Sequence, residues 1–239
     1  MIYIQSDKDR TLPYHFDSAC ALYGAIETSQ SFRLTSFEEV KSGKFDSLIK
    51  TNLFVGSVEF MIEVFNRIGY PTIKLPSNSN RELTFITLGE AKSIASKGTK
   101  IFIKPIQNKL FTGFVLDEYQ YSSIANIPDD TIIMAYDVFD HVIDSEWRCY
   151  IHNNKIIDSR NYSGDFKISP DYGYVNDVLK SNKDSFPCAY TIDIGILSNH
   201  TNVVIEFNDM WAIGNYGIPN DEYVRLLRDR YFEIIQNKK

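Results

Sequence analysis

The sequence predicts a mixed α/β chain that opens with alternating strands and helices and turns strand-rich towards its end. Three observations carry this. Helical periodicities alternate with short apolar strands over roughly the first seventy residues. Strand pairs with hairpin turns follow, Asn153-Asn154 among them. Residues 190–217 then read as two strands around a Ser198-Asn199-His200 turn, the second a β-branched run that ends in Glu206-Phe207-Asn208-Asp209.

Residues 1–5 form a first strand and residues 16–26 a helix with apolar positions at Phe16, Ala19, Cys20, Tyr23 and Ile26, started by Asp17 or Ser18. Residues 32–35 suit a short strand, residues 37–41 a short helix capped by Ser36, and residues 48–55 a strand of mixed polarity. Residues 57–68 form a helix. Ser57 caps it, Val58, Met61, Ile62, Phe65 and Ile68 make its stripe, and Gly69 stops it. Pro71, Pro76 and residues 77–80 mark a junction.

Residues 87–95 form a helix capped by Thr87, with Glu90 in capping-box position. Strands follow at residues 100–105, 110–116, 131–139, 145–151 and 155–160, then a helix within residues 170–179. The last helix, residues 220–235, turns Tyr223, Leu226, Leu227, Tyr231 and Ile234 inwards.

The chain has 239 residues, 44% of them hydrophobic and 23% charged, enough for one large core or two small lobes. A net charge of -6 and a pI near 5.3 argue against a general nucleic-acid-binding surface. Cys20, Cys149 and Cys188 are odd in number and widely spaced, so they fit neither a disulfide framework nor a zinc site and read as reduced buried thiols. No apolar leader opens the chain and no run is long enough to span a membrane, so no membrane contact is expected.

The residues with chemical content are few. Glu206 and Asn208 are two apart on a strand and share a face, and Asp193 on the neighbouring strand would bring a third oxygen ligand. Such a set suits a hard cation such as magnesium, although an edge strand with solvated acids would read the same. Lys104 ends an apolar strand before a hairpin holding Thr112 and Gly113. That is either a solvated edge lysine or a phosphate ligand under a loop of close-approaching backbone. Arg148 shares a face with Glu146, while Trp147 and Cys149 share the other. Arg148 is either an exposed cross-strand ion pair or a guanidinium aimed at a phosphate. No Walker A or Rossmann glycine pattern is present, and His15, His141, His152 and His200 are scattered.

Gly56-Ser57-Val58-Glu59-Phe60, Phe102-Ile103-Lys104-Pro105, Lys109 through Thr112-Gly113, Ser145-Glu146-Trp147-Arg148, Asp193, Glu206-Phe207-Asn208-Asp209 and Gly214-Asn215-Tyr216-Gly217 follow one another over residues 55–235. In that order they resemble the ATP-grasp superfamily, and more narrowly a small carboxylate–amine ligase type of clade often met in bacteriophages.

The resemblance implies an ATP-grasp fold with two α+β subdomains gripping ATP. An N-terminal α/β lobe would span residues 1–75 and the two subdomains residues 76–132 and 133–239. It implies ATP and magnesium (Mg2+) as cofactors. Lys104 would bind the α- and β-phosphates, with Lys109, Thr112 and Gly113 in the loop above them. Met134, Ala135, Tyr136 and Asp137 would read the adenine edge, and Asp140 or His141 the ribose. Arg148 would stabilise the γ-phosphate and the acyl-phosphate formed from it, and Arg160 a substrate carboxylate or the same phosphate. Asp193, Glu206 and Asn208 would hold the metal. Lys74 and Arg81 both qualify as a second phosphate cation.

The implied activity joins a carboxylate substrate to an amine substrate, such as an amino acid, peptide or small molecule, in the cytoplasm of a bacterial cell or phage-infected host. Tyr162, Tyr172, Tyr174, Trp211 and Tyr216 offer aromatic surface for the substrates. A homodimer is left open. A phosphotransferase on the same fold and a non-catalytic nucleotide-binding module are the alternatives.

Overall fold

Parallel strands need a long crossover between them, and a helix is the usual one. The alternating start of the chain therefore builds a small parallel sheet. The structure, a computed structural model, describes residues 1–70, 83–106, 110–117, 119, 121–182 and 185–236. The sequence-predicted junction at residues 71–80 lies outside them. The chain divides into two units, Met1–Asn78 with Ile143–Lys239, and Ser79–Val142.

In the first unit β1 (Ile2–Gln5), α1 (Phe16–Glu27), β2 (Phe32–Thr35), α2 (Phe37–Lys41), β3 (Leu53–Val55) and α3 (Val58–Arg67) follow in turn. The sheet order is β2-β1-β3 and both pairings are parallel. Ser36 caps α2 in a reciprocal box with Glu39, and Ser57 caps α3, as expected.

Several expectations need correction here. The cap of α1 is His15, whose ring Nδ1 accepts from the Ser18 N–H at 3.2 Å, and Asp17 is used elsewhere. The buried side of α1 is made of Ser18, Cys20, Ala21, Gly24 and Ala25, whereas Phe16, Tyr23 and Ile26 are exposed. The small face follows from close packing: a Cβ on Gly24 would meet the Asn220 carbonyl oxygen at 2.3 Å. On α3 the core side is Phe60, Met61, Val64 and Phe65, while Val58 and Ile62 are on its rim. The strand expected over residues 48–55 is only β3, because the residues before it turn to bury Phe45 and Ile49.

The second unit holds β4 (Leu83–Thr87), α4 (Leu88–Ala95), β5 (Ile101–Pro105), β6 (Phe114–Leu116) and β7 (Ile132–Asp137). They form an antiparallel sheet of order β4-β7-β5-β6. Strand β4 goes beyond the sequence expectation, and β6 is shorter than the run over residues 110–116 suggests. Leu88, Ala91 and Ala95 of α4 pack on Ile103, Leu116 and Ile133.

The chain then returns to the first unit with β8 (Ile143–His152), β9 (Lys155–Gly164), α5 (Tyr172–Asn182), β10 (Ala189–Leu197), β11 (Asn202–Asp209) and α6 (Asn220–Gln236). The strands make an antiparallel sheet of order β11-β10-β8-β9. Asn153 and Asn154 both take positive φ, 48° and 58°, as a tight hairpin turn requires. One face of this sheet is apolar: Cys149, Ile151, Ile192, Ile194 and Val204 pack against Val175 and Leu179 of α5. Because side chains alternate, the residues between them present a polar face. All three cysteines are free, and no described helix is long and apolar enough to cross a membrane.

Candidate active site

The polar face is set by strand register. Arg148 on β8 lies directly opposite Asp193 on β10 and opposite Arg160 on β9, and Asp193 lies opposite Glu206 on β11. Direct cross-strand partners project to the same side. The pairing therefore brings Arg148, Arg160, Asp193 and Glu206 into one row, with Asn208 two residues beyond Glu206.

Arg148 and Asp193 form a buried, two-pronged ion pair, with the residues 5% and 1% exposed. The guanidinium donates from Nε to Oδ1 at 2.8 Å and from Nη2 to Oδ2 at 2.7 Å. The exposed ion pair considered for Arg148 is thereby excluded, and its carboxylate partner is not Glu146. One edge of the guanidinium is used in full. Its Nη1 has no protein partner among the described residues.

Burial pushes the Asp193 carboxyl up to about 6, and the charges of Glu206 and Glu146 push the same way, against the pull of Arg148. Two guanidinium groups side by side are unfavourable without anions between them. Arg160 donates to Asp158 from Nη2 at 2.6 Å, but its Nε is buried with no partner among the described residues.

The metal set expected from sequence does converge. The Asn208 Nδ2 donates to Asp193 Oδ2 at 3.3 Å and to Glu206 Oε1 at 3.2 Å, so both carboxylates border one point. Turning the amide over exchanges its nitrogen for its oxygen and leaves three hard oxygen donors around that point. Such a set fits a magnesium ion whose remaining positions are filled by water and phosphate. Among the described residues no group of three His, Cys, Asp or Glu side chains is arranged for a metal, so a metal here depends on the Asn208 amide or on ligands the chain does not supply.

Sequence reasoning missed the lining of this face. Tyr162 donates its hydroxyl to Glu146 Oε2 at 2.9 Å. Its ring stacks on Tyr216 at 5.1 Å and 16°. The Arg148 guanidinium carbon lies 4.6 Å from the Tyr216 ring centre and 5.8 Å from that of Tyr162. Period-two spacing from Arg148 and Arg160 gives Glu146 and Tyr162 in retrospect, but nothing in the sequence brings residue 216 to them. Trp211, by contrast, packs on the hydrophobic core, edge-on against Phe65.

The other expected site residues are in the second unit. Lys104 lies opposite Met134 on the sheet face away from α4. Gly113 runs against it: a Cβ there would be 3.5 Å from Lys104 Cβ and 3.0 Å from the Phe102 ring. Thr112 immediately precedes Gly113 in the same stretch. Met134 and Tyr136 share the Lys104 face, whereas Ala135 and Asp137 turn to the α4 side. On that side a cavity of about 230 Å³ is lined by Thr84, Ile86, Ile94, Lys100, Ala135 and Asp137 among others, away from Lys104. Asp140 and His141 are in the connection after β7. Lys109, Lys74 and Arg81 lie outside the described residues.

Three sheets with these strand orders are the ATP-grasp fold, found in solved structures across the whole chain. ATP-grasp ligase PsnB, solved with a minimal precursor, Mg and ADP, matches with a TM-score of 0.52 and 9% identity, covering 96% of each chain. D-alanine–D-alanine ligase from Bacillus anthracis, complexed with ATP, gives 0.54 and 10% identity over 100% of this chain and 98% of that one. N5-carboxyaminoimidazole synthetase from Staphylococcus aureus, complexed with ADP, gives 0.56 and 11% identity over 96% of this chain and 77% of that one. These likenesses concern the fold. No curated protein matches by sequence. A family model for an ATP-grasp domain, the second family of its clade, matches residues 79–226, well over half of the chain. The chain belongs to that ATP-grasp family.

Proposed function

We propose that the protein is an ATP-dependent carboxylate–amine ligase acting through an acyl-phosphate. The observation that carries the reading is the Arg148 guanidinium, with one edge on Asp193 and Nη1 unpaired, on the same sheet face as the convergent oxygens of Glu206 and Asn208. Cationic donors beside a metal-type oxygen set are what transfer of a phosphoryl group requires. Membership of the ATP-grasp family and the ligase titles of its structural neighbours support the same reading.

Asp193, Glu206 and Asn208 hold magnesium, which supplies neutralisation of phosphate charge when bound. Arg148 binds the terminal phosphate from Nη1. Lys104 contacts the α- and β-phosphates, and the stretch with Lys109, Thr112 and Gly113 covers them. The backbone of Met134, Ala135, Tyr136 and Asp137 reads adenine, and Asp140 or His141 the ribose. Arg160 receives a substrate carboxylate on its unpaired Nε.

The substrate carboxylate attacks the γ-phosphorus and ADP leaves. An amine then attacks the acyl carbon, phosphate leaves, and an amide results. In this reading the division into an N-terminal lobe, residues 1–75, and two grasp subdomains, residues 76–132 and 133–239, is functional, and the chain works in the cytoplasm.

Calorimetry of ATP binding with and without magnesium tests it, on the wild type and on Glu206→Ala. The expected result is magnesium-dependent binding that weakens at least about tenfold in the variant. Absence of ATP binding in the wild type would end the nucleotide reading. Formation of a hydroxamate when hydroxylamine is added with ATP and candidate acids reports the acyl-phosphate, and a phosphorylated product stable to hydroxylamine would instead mark a phosphotransferase.

A further inference from the structure

Tyr216 holds an unusual backbone conformation. Its φ is +47°, in the left-handed region that bulky side chains avoid, and its neighbour Gly217 is at +93°. The surrounding contacts over-determine it. The Asn215 N–H donates to Asp17 Oδ1 at 2.8 Å. The Tyr150 hydroxyl donates to the carbonyls of Gly214 and Asn215 at 2.8 and 2.5 Å. The Gly217 N–H donates to Asn215 Oδ1 at 2.7 Å. Asn215 itself is 2% exposed. Strain kept in place by such a clamp marks a side chain that is wanted where it is.

The strained residue carries a ring, and the ring lies on Arg148. A guanidinium stacks on an aromatic face, which fixes its plane. Asp193 already fixes the Nε and Nη2 edge, so the ring removes the remaining freedom, a tilt of the plane about that edge. What is left is a single direction for Nη1. Tyr162 backs the Tyr216 ring and is itself held through its hydroxyl by Glu146.

We propose that Tyr216 is a positioning residue: clamped in a left-handed turn, it holds the Arg148 guanidinium plane so that the unpaired Nη1 edge faces the terminal phosphate of the nucleotide. The proposal rests on the reading of Arg148 given above. Because only ATP carries the γ-phosphate, the effect belongs to the preference for ATP over ADP and not to nucleotide binding as such. ADP affinity therefore serves as the gauge of an intact fold.

The experiment is magnesium-supported calorimetry with ATP and with ADP on the wild type, Tyr216→Gly, Tyr216→Phe and Arg148→Lys. Glycine occupies the left-handed turn without strain, so Tyr216→Gly keeps the loop. The expected result for Tyr216→Gly is an ATP-over-ADP preference reduced about tenfold with ADP affinity unchanged, and for Tyr216→Phe a preference like the wild type. An unchanged preference in Tyr216→Gly would overturn the proposal. Equal loss of ATP and ADP affinity would overturn it too, since the ring would then be structural. The reading of Arg148 fails separately, if the wild type does not prefer ATP or if Arg148→Lys leaves the preference intact.

Discussion

Two arginine–aspartate pairs are buried among the described residues, alike in almost every geometric respect and different in their surroundings. Arg230 of α6 donates from Nε and Nη2 to Asp209 at 2.6 Å each, as Arg148 does to Asp193. Arg230 and Arg148 are each 5% exposed. But the third nitrogen of Arg230 donates to Glu233 at 2.8 Å, which closes the guanidinium completely. Arg148 ends in an unpaired Nη1, and its aspartate is crowded by two further acids. The Arg230 pair is a clasp between β11 and α6. The Arg148 pair is the same device left open on one side, and an open buried ion pair has a reason to exist only if something else completes it.

Breaking the closed pair should have the larger effect on stability. Arg230→Ala would leave Asp209 as a buried, uncompensated charge, with Glu233 beside it. The expected loss is about 3–5 kcal/mol, read from the urea midpoint at constant slope. Replacing both partners by apolar residues, Arg230→Met with Asp209→Leu, should recover most of it, since the pair's net contribution is small once desolvation is counted. If the double variant is as unstable as the single one, the clasp has a role beyond charge compensation.

At the open pair the signs reverse. Arg148→Lys keeps the charge but loses the planar fork. The expected loss of ATP affinity is roughly tenfold to a hundredfold, because a hydrogen bond to a charged group is removed. Glu206→Ala, outside the ion pair and half-buried, should change stability by no more than about 1 kcal/mol while removing magnesium dependence. A comparable loss of stability in Glu206→Ala and Arg230→Ala would erase the distinction between the two regions.

How much of this contrast is legible in the sequence follows from the physics of each element. Strand neighbours and period-two spacing bring Asp193, Glu206 and Asn208 together from sequence, because a hairpin with a short turn has few registers. The same spacing puts Glu146 on the Arg148 face. The partner of Arg148 is not legible, since β8 and β10 are separated by β9 and α5 and only the sheet order joins them.

The α6 face is legible for its apolar residues, but Arg230 at a core position is not, as its partner arrives from β11. The α1 face misleads because a helix packed through Gly24, Ala21 and Ala25 buries small residues and leaves large ones outside. Hydrophobicity alone points the other way. Tyr216 is the least legible of all: nothing local distinguishes a strained tyrosine from an ordinary turn residue.

The open pair should also respond to pH where the closed one does not. The Asp193 carboxyl is raised to about 6 by burial, above its unfolded value of about 4. Between those values the folded chain holds a proton that the unfolded chain has lost. Protonation therefore stabilises the fold there, and the contribution of Asp193 declines as pH rises through 6. Metal and nucleotide binding need the ionised form, so magnesium-dependent ATP affinity should move oppositely and fall as pH drops below about 6. Calorimetry from pH 5 to 8, paired with urea midpoints, measures both arms. Asp193→Asn should flatten the stability arm, and an ATP affinity independent of pH in the wild type would show that Asp193 stays ionised throughout and that Arg148 outweighs burial.

The smallest effect concerns the outer ring. Tyr162→Phe removes the hydroxyl bond to Glu146 but keeps the stack on Tyr216. A single bond to a half-buried carboxylate contributes about 1 kcal/mol, so the thermal midpoint should fall by only a few degrees. If the ring alone backs Tyr216, the preference for ATP over ADP should survive this change. If the preference falls with the hydroxyl, the positioning of Arg148 begins at Glu146, and the open pair is held by a chain of three side chains, Glu146, Tyr162 and Tyr216.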